Sequence, residues 1–374
     1  MERVAKHIIE KDPTIEDPFY IADIRMLDSK LRIWQHELDN VKPYYAIKCN
    51  SDERVLRYLS EHNVGFDCAS KGEIAQVLNH TNNIIFAHPV KKVKDIEYAV
   101  SNGIFRMTYD SVYELEKMRS YTSKIQCILR ISIHNPCASS DLGIKYGVLR
   151  DEYEHVINKT KEYGLNLVGI SFHVGSGNRN SSIFDEAIGY AREVYEYACR
   201  CGFDVHILDI GGGFTAKMFV KTAKIIVKSL KIHFNDVKLN IIAEPGRFFV
   251  EDIFTLVTRI IGKRYRANIH EYWITDSIYG SLNCVIFDHQ KPIFKPLYAT
   301  TTKYLPCIIN GLSCDSEDRL VNTSLPELDV GEFLLVNNFG AYTLSACSNF
   351  NGFDFTKSKV WYIKTITHDA VVIE

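Results

Sequence analysis

A chain of 374 residues with 46% apolar and 12% aromatic side chains can build a large core, with room for about two domains or for one barrel of about 250 residues and an addition. A formal net charge of −2 without a long basic run argues against a nucleic-acid partner, and no stretch reaches the ~20 apolar residues of a membrane span. The ten cysteines are scattered, without metal-ligand spacing, and Met1-Glu2-Arg3-Val4-Ala5-Lys6 alternates charge with apolar residues as no secretory signal does. Free thiols, no metal and a cytoplasmic location are therefore expected.

Phe19-Tyr20-Ile21 reads as a lone strand near the start. From residue 44 onward, short runs rich in β-branched and aromatic residues alternate with amphipathic segments. Strands are expected at 44–48, 64–69, 83–87, 104–109, 127–131, 167–174, 206–210 and 239–244. Between them, Val55, Leu56 and Leu59, then Ile74, Val77 and Leu78, then Val112, Leu115 and Met118 follow helical spacing. The basic cluster Lys91, Lys92 and Lys94 is accounted for by one helix face, and a longer helix over 184–201 ends at Gly202.

Eight βα units in about 200 residues predict a closed (β/α)8 barrel of TIM type rather than an open doubly wound sheet. Lys48, Asp67, His88, Tyr109, Arg130, His173, Gly211-Gly212-Gly213 and Glu244 fall at the C-terminal ends of successive strands, which converge on one mouth in a barrel. After Arg247 the pattern becomes strand-like at 254–261, 272–276, 284–288, 305–309, 333–337 and 360–363, with no helix expected among them. The expected organisation is thus α/β. An N-terminal strand (1–25) joins a C-terminal, mostly antiparallel β domain (254–374), and the barrel (26–253) lies between them in sequence.

Lys48 closes the apolar run Tyr44-Tyr45-Ala46-Ile47. Taken alone it is more often a solvated strand end, but a desolvated lysine has a lowered pKa and a nucleophilic amine. Gly211-Gly212-Gly213 lets backbone N–H groups approach an anion, Glu244-Pro245-Gly246-Arg247 adds a guanidinium, and His173-Val174-Gly175-Ser176-Gly177 adds a hydroxyl. A phosphate at this corner together with an amine suits pyridoxal 5'-phosphate, whose ring nitrogen needs an acidic partner such as Glu244. A Schiff-base aldolase acting on a sugar phosphate is the rival, although such enzymes usually carry their lysine late in the barrel.

The motifs 45–50 (Tyr-Ala-Ile-Lys-Cys-Asn), 66–70 with Glu73, 171–177, 208–214, 243–247, Cys314-Asp315, Gly340-Ala341-Tyr342-Thr343 and Phe350-Asn351-Gly352-Phe353 run in one order over nearly the whole chain. As a set they resemble the barrel-fold, pyridoxal-phosphate-dependent decarboxylases of basic amino acids, most of all the eukaryotic ornithine-specific branch. The resemblance implies that Lys48 carries the cofactor as a Schiff base, that His173 stacks on its ring, and that Glu244 meets the ring nitrogen with Asp67 and Arg130 nearby. Ser176, Gly212, Gly213, Gly246, Arg247 and Tyr342 would hold the phosphate. It further implies a homodimer with shared sites, in which Cys314 of the partner subunit protonates the α-carbon, and Lys145 and Asp318 match a salt bridge across the interface. The implied reaction is decarboxylation of L-ornithine to putrescine, a step of polyamine synthesis.

Phe287, Asp288 and Asp315 are the implied substrate residues, two carboxylates around one distal ammonium suiting ornithine. Lysine or arginine decarboxylation is the alternative. A non-catalytic regulator of the antizyme-inhibitor type is less favoured, because Lys48, Asp67, Glu244, Arg247 and Cys314 are all present; whether an antizyme-like partner exists is left open by the sequence. Two departures stand out. Phe287 replaces the family's more usual Tyr, and the loop Gly311-Leu312-Ser313-Cys314-Asp315-Ser316 lacks the usual Pro-Thr before Cys and Gly after Asp, a loss expected to stiffen it.

Overall fold

The structure, a computed structural model, describes residues 1–298, 303–366 and 371–374. They form two compact units, Met1–Asp28 with Phe249–Glu374, and Ser29–Phe248. The chain enters through a helix (Glu2–Lys11) and strand β1 (Phe19–Ala22) of the first unit.

The second unit is the expected barrel. Strands β2 (Val41–Ala46), β3 (Gly65–Cys68), β4 (Ile84–Phe86), β5 (Arg106–Tyr109), β6 (Gln126–Arg130), β7 (Asn166–Ser171), β8 (Ile207–Asp209) and β9 (Asn240–Ala243) are parallel and close, β2 pairing with β9. Tyr44, Ile85, Ala87, Ile128, Val168, Ile207 and Ile242 pack together as its interior. Side chains alternate along a strand, so two residues further toward the C-terminal ends the inward rows become Arg130, Asp209 and Glu244. A polar layer thus lies above an apolar one. The helix Lys71–Val77 that follows β3 is capped by Ser70, whose Oγ accepts the Glu73 N–H (3.2 Å), and the Glu73 carboxylate accepts the Ala69 N–H just before the cap (2.5 Å). The helix Ile183–Arg200 ends near Gly202, whose φ is +89°.

Three expectations about the barrel are corrected. Lys48 is not in a strand, because β2 ends at Ala46 and a 3-10 turn, Ile47–Cys49, follows. Tyr109 is paired with Thr160 Oγ1 (2.7 Å) on the helix Tyr153–Glu162, so it belongs to the strand–helix layer and not to the mouth. Lys91 is not on an exposed helix face: it precedes the helix Val93–Ser101, is buried, and pairs with Glu114 (3.0 Å) and the Thr108 carbonyl (2.5 Å).

The other unit contains β10 (Phe254–Arg266), β11 (Ile269–Ile274), β12 (Phe294–Pro296), β13 (Leu305–Asn310), β14 (Arg319–Leu325), β15 (Phe333–Asn337), β16 (Lys359–Ile366) and β17 (Val371–Ile373). The sheet runs β14-β13-β11-β10-β1-β16-β17, and β15 pairs with both β10 and β12. Strand β1 joins it, antiparallel to β10 and parallel to β16. Val4, Ala5 and Ile8 of the N-terminal helix pack on Phe19, Ile21, Val257 and Leu335.

The expected strand at 284–288 is a 3-10 turn (Ser281–Asn283) and a short helix (Cys284–Phe287). Asn283 Nδ2 donates to the Gly280 and Thr343 carbonyls (2.6 and 2.7 Å) and pins the turn, while the Asp288 N–H closes on the Cys284 carbonyl (3.1 Å). Among the described residues no helix is long and apolar enough to cross a membrane.

Candidate active site

Lys48 Nζ donates to Asp67 Oδ2 at 2.6 Å, the Asp67 side chain being 1% exposed and that of Lys48 38%. The expectation of a buried, desolvated lysine is therefore corrected: what prepares this amine is a buried carboxylate on the neighbouring strand. Arg130 at the end of β6 stands 5.2 Å from the Tyr146 ring centre. Burial pulls its pKa down, against the opposing pull of Glu244, Asp110, Asp67 and Asp209. Burial, and then Arg130 and Lys48, push the His173 imidazole well below its usual range, so it is neutral. Its Nδ1 accepts the Gly175 N–H (2.9 Å), which leaves the ring proton on Nε2.

Glu244 lies one residue beyond β9, and burial, Asp209 and Asp67 raise its pKa well above the carboxylate range, with Lys48 and Arg130 opposing. Asp209 is wholly buried; burial raises its pKa to about 7, although Oδ1 accepts the Gly211 N–H at 2.9 Å.

Around this cluster the loops after β7, β8 and β9 meet. Arg247 Nη2 donates to Ser176 Oγ (3.2 Å), and Gly246 lies against Cys49 and Ala46. A Cβ on Gly212 would fall 2.6 Å from His173 Nε2, and one on Gly213, where φ is +98°, 2.7 Å from the Gly175 carbonyl. Only glycine permits this approach, which yields a backbone cradle with a hydroxyl and a guanidinium beside it. Asp67 Oδ1, Arg130 Nε, Ser171 Oγ and Asp209 Oδ2 are buried without a hydrogen-bond partner among the described residues. Such groups call for one. An aldehyde with a ring nitrogen and a phosphate fits the set: an amine, a neutral flat ring, a buried carboxyl pair and an anion corner.

The β unit holds the remaining expected residues. Phe287, 72% exposed, ends the short helix, and the buried Asp288 accepts Gln290 Nε2 (2.6 Å), which also donates to the Ala341 carbonyl (2.8 Å). The neighbouring Tyr342 has a positive φ of +57°. Cys314 is exposed, and its N–H donates to Asn351 Oδ1 (2.9 Å). Asp315 accepts Tyr279 Oη–H (2.5 Å) and the Glu317 N–H (3.0 Å), which lower its pKa. Asp318, matched to a salt bridge by resemblance, is 3% exposed; it accepts Ser277 Oγ–H (2.7 Å) and the N–H groups of Ile278 and Ser313 (2.9 Å each).

Sequence reasoning missed Asp209, Tyr146, Tyr279 and Gln290 as site residues. Asp209 alone had a readable signal: it is a charged residue on the inward row Ile207, Asp209, Gly211.

A (β/α)8 barrel whose mouth joins an amine, a carboxyl pair and an anion corner defines the class of barrel enzymes that use pyridoxal phosphate. Residues 24–251 match the family model described as "Pyridoxal-dependent decarboxylase, pyridoxal binding domain". Ornithine decarboxylase of Schizosaccharomyces pombe is 38% identical over 98% of this chain and 88% of its own length. The chloroplastic ornithine decarboxylase of Nicotiana glutinosa is 41% identical over 93% and 84%. Among solved structures, the arginine decarboxylase of Paramecium bursaria Chlorella virus superposes with a TM-score of 0.94 at 36% identity, covering 97% of this chain and 100% of that one. The chain belongs to the pyridoxal-dependent decarboxylase family, and its cofactor is pyridoxal phosphate.

Proposed function

We propose that this enzyme decarboxylates L-ornithine to putrescine as a homodimer with shared active sites. The observation that carries the reading is the buried cluster of Lys48, Asp67, Arg130, Asp209 and Glu244, with neutral His173, beside the Ser176–Arg247 corner. When bound, pyridoxal phosphate supplies an aldehyde that condenses with amines and a ring that takes up the electron pair left by departing carbon dioxide. Lys48 Nζ provides the resident amine, and Asp67 Oδ2, already bonded to it, is placed to hold its proton. Neutral His173 offers a ring face without repelling a cation. Glu244 would meet the ring nitrogen, whose positive charge would let this buried carboxyl ionise, with Arg130 also opposing its raised pKa.

Ser176, the backbone N–H groups of Gly212, Gly213 and Gly246, and Arg247 would hold the phosphate. Tyr342 joins them on the strength of its motif. Cys314 of the partner subunit gives its thiol proton to the α-carbon. Phe287 walls the substrate pocket, and Asp288 and the partner's Asp315 receive the distal ammonium. The ten free cysteines suit a reducing, cytoplasmic setting.

The viral arginine decarboxylase makes arginine the competing substrate. An ammonium is a compact point charge that two carboxylates can bracket, whereas a guanidinium is longer and planar and calls for a reshaped acidic site. Carbon dioxide release from ornithine, lysine and arginine, measured side by side, decides between them. Ornithine should give the highest kcat/KM, and a higher value with arginine would remove the role assigned to Asp288.

A further inference from the structure

The loop between β6 and the helix Tyr153–Glu162 lies against the anion corner. Asn135-Pro136-Cys137-Ala138 is a tight turn: the Ala138 N–H donates to the Asn135 carbonyl (3.1 Å), and proline occupies the position whose φ it presets. Asn135 Oδ1 accepts the Cys137 N–H (3.1 Å), and the Asn135 N–H donates to Asp141 Oδ2 (3.1 Å). These bonds fix an asparagine that is only 1% exposed. Its Nδ2 donates to the Val174 carbonyl (2.6 Å) and to Asn178 Oδ1 (3.0 Å). One buried amide thus ties both ends of the segment 174–178, which carries Ser176. The N–H groups of Ser139 and Ser140 donate to the Ser176 carbonyl (2.9 and 3.2 Å), and the Ser176 N–H donates to the Ser140 carbonyl (3.1 Å). The Ser176 main chain is thereby committed, and its hydroxyl serves the corner, where it accepts Arg247 Nη2 (3.2 Å). The approach is close enough to require glycine on either side of Ser176. A Cβ on Gly175, where φ is +90°, would fall 2.5 Å from Ala138 Cβ, and one on Gly177, where φ is +63°, 2.5 Å from Ser139 Oγ.

We propose that Asn135 is a positioning residue for the cofactor phosphate. By holding Val174 and Asn178 with one amide it sets the 174–178 turn, and with it the place at which the Ser176 hydroxyl meets the anion. The inference rests on the assignment of Ser176 and Arg247 to the phosphate made above. Both polar atoms of the Asn135 side chain are engaged within the protein, so it acts through Ser176 and not by contact with the anion.

Pyridoxal has the ring and aldehyde without the phosphate, so it separates this role from packing. Each ligand is titrated into the purified full-length protein freed of cofactor, and the dissociation constants are compared. Asn135→Ala should weaken pyridoxal phosphate about 5–10-fold, the ordinary worth of a buried hydrogen bond, and pyridoxal less than about 2-fold. Asn135→Asp keeps the size and the acceptor for Cys137 but turns a carboxylate toward two acceptors, and should show the same phosphate-specific loss. Asn178→Ala removes one of the two acceptors; it should give a smaller loss of the same kind and serves if Asn135→Ala does not fold. In a Ser176→Ala background, Asn135→Ala should add less than about 2-fold, because neighbours acting through one contact are not additive. Equal weakening of both ligands would mark a packing residue, and a full additive loss would mean that Asn135 does not act through Ser176; either overturns the proposal. Ser176→Ala and Arg247→Ala test the corner itself. If neither lowers the preference for pyridoxal phosphate over pyridoxal, the corner reading falls and takes the proposal with it. A loss of preference in those two variants with none in Asn135→Ala overturns the proposal alone.

Discussion

Lys48 and Asp67 sit 19 positions apart in sequence and 2.6 Å apart in space. That the lysine belongs to the barrel mouth was legible, because a cation followed a buried apolar run where a barrel gathers its site. Its surroundings were not. A linear run does not report that the chain leaves the sheet at Ala46, nor that the acid of the next strand reaches across. The proposed reaction therefore assigns control of this amine to Asp67 rather than to desolvation. Borohydride reduction of the cofactor-loaded protein should add the cofactor covalently to wild type, read as a mass increase, and add nothing to Lys48→Ala. Asp67→Asn should retain the covalent link but lower kcat/KM by about 10²-fold, the ordinary worth of a placed proton acceptor. A loss of less than threefold would show that the pair is only structural.

Elements with a strong period were legible and those without one were not. All eight barrel strands are present, because alternating strand and helix patterns leave few topologies open. Cys284-Val285-Ile286-Phe287 has no period at all in four apolar residues, and tertiary bonds from Asn283 decide for a helix. The loop carrying Cys314 shows the same dependence on long-range bonds. The Asp318 carboxylate gathers Ser277 Oγ–H and two backbone N–H groups, so Asp318→Ala leaves buried donors unpaired and should destabilise the protein by about 2–5 kcal/mol in urea unfolding. The preceding turn is pH-sensitive. Asp276, buried and accepting the Ser277 and Ser281 N–H groups, has its pKa raised from 3.8 to about 6, chiefly by burial. The folded state therefore holds a proton that the unfolded state has released, and this group's contribution is lost as pH rises from about 4 through about 6, by ~3 kcal/mol. Asp276→Asn cannot titrate, so the wild-type advantage over it should shrink by that amount between pH 4 and pH 7; a constant difference would contradict the raised pKa.

At the scale of the molecule, the proposed reaction draws on residues from both units: Lys48, Asp67, His173 and Glu244 in the barrel, and Cys314 and Asp315 on a β-unit loop. The reading that Cys314 comes from a second copy has a consequence that no single-chain site shares. Lys48→Ala homodimers lack the amine at both sites, and Cys314→Ala homodimers lack the proton donor at both. In a heterodimer of the two variants, one site combines the altered barrel with the altered loop, and the other combines an intact Lys48 with an intact Cys314. Equal mixing under conditions that exchange subunits gives heterodimers as half of the population, each with one restored site, so about a quarter of wild-type activity should return. Native mass spectrometry of the mixture establishes that exchange has occurred. With heterodimers present and activity still at the level of the separate variants, Cys314 and Lys48 would have to serve a site within one chain, and the shared-site reading would fall while the assignment of both residues stood.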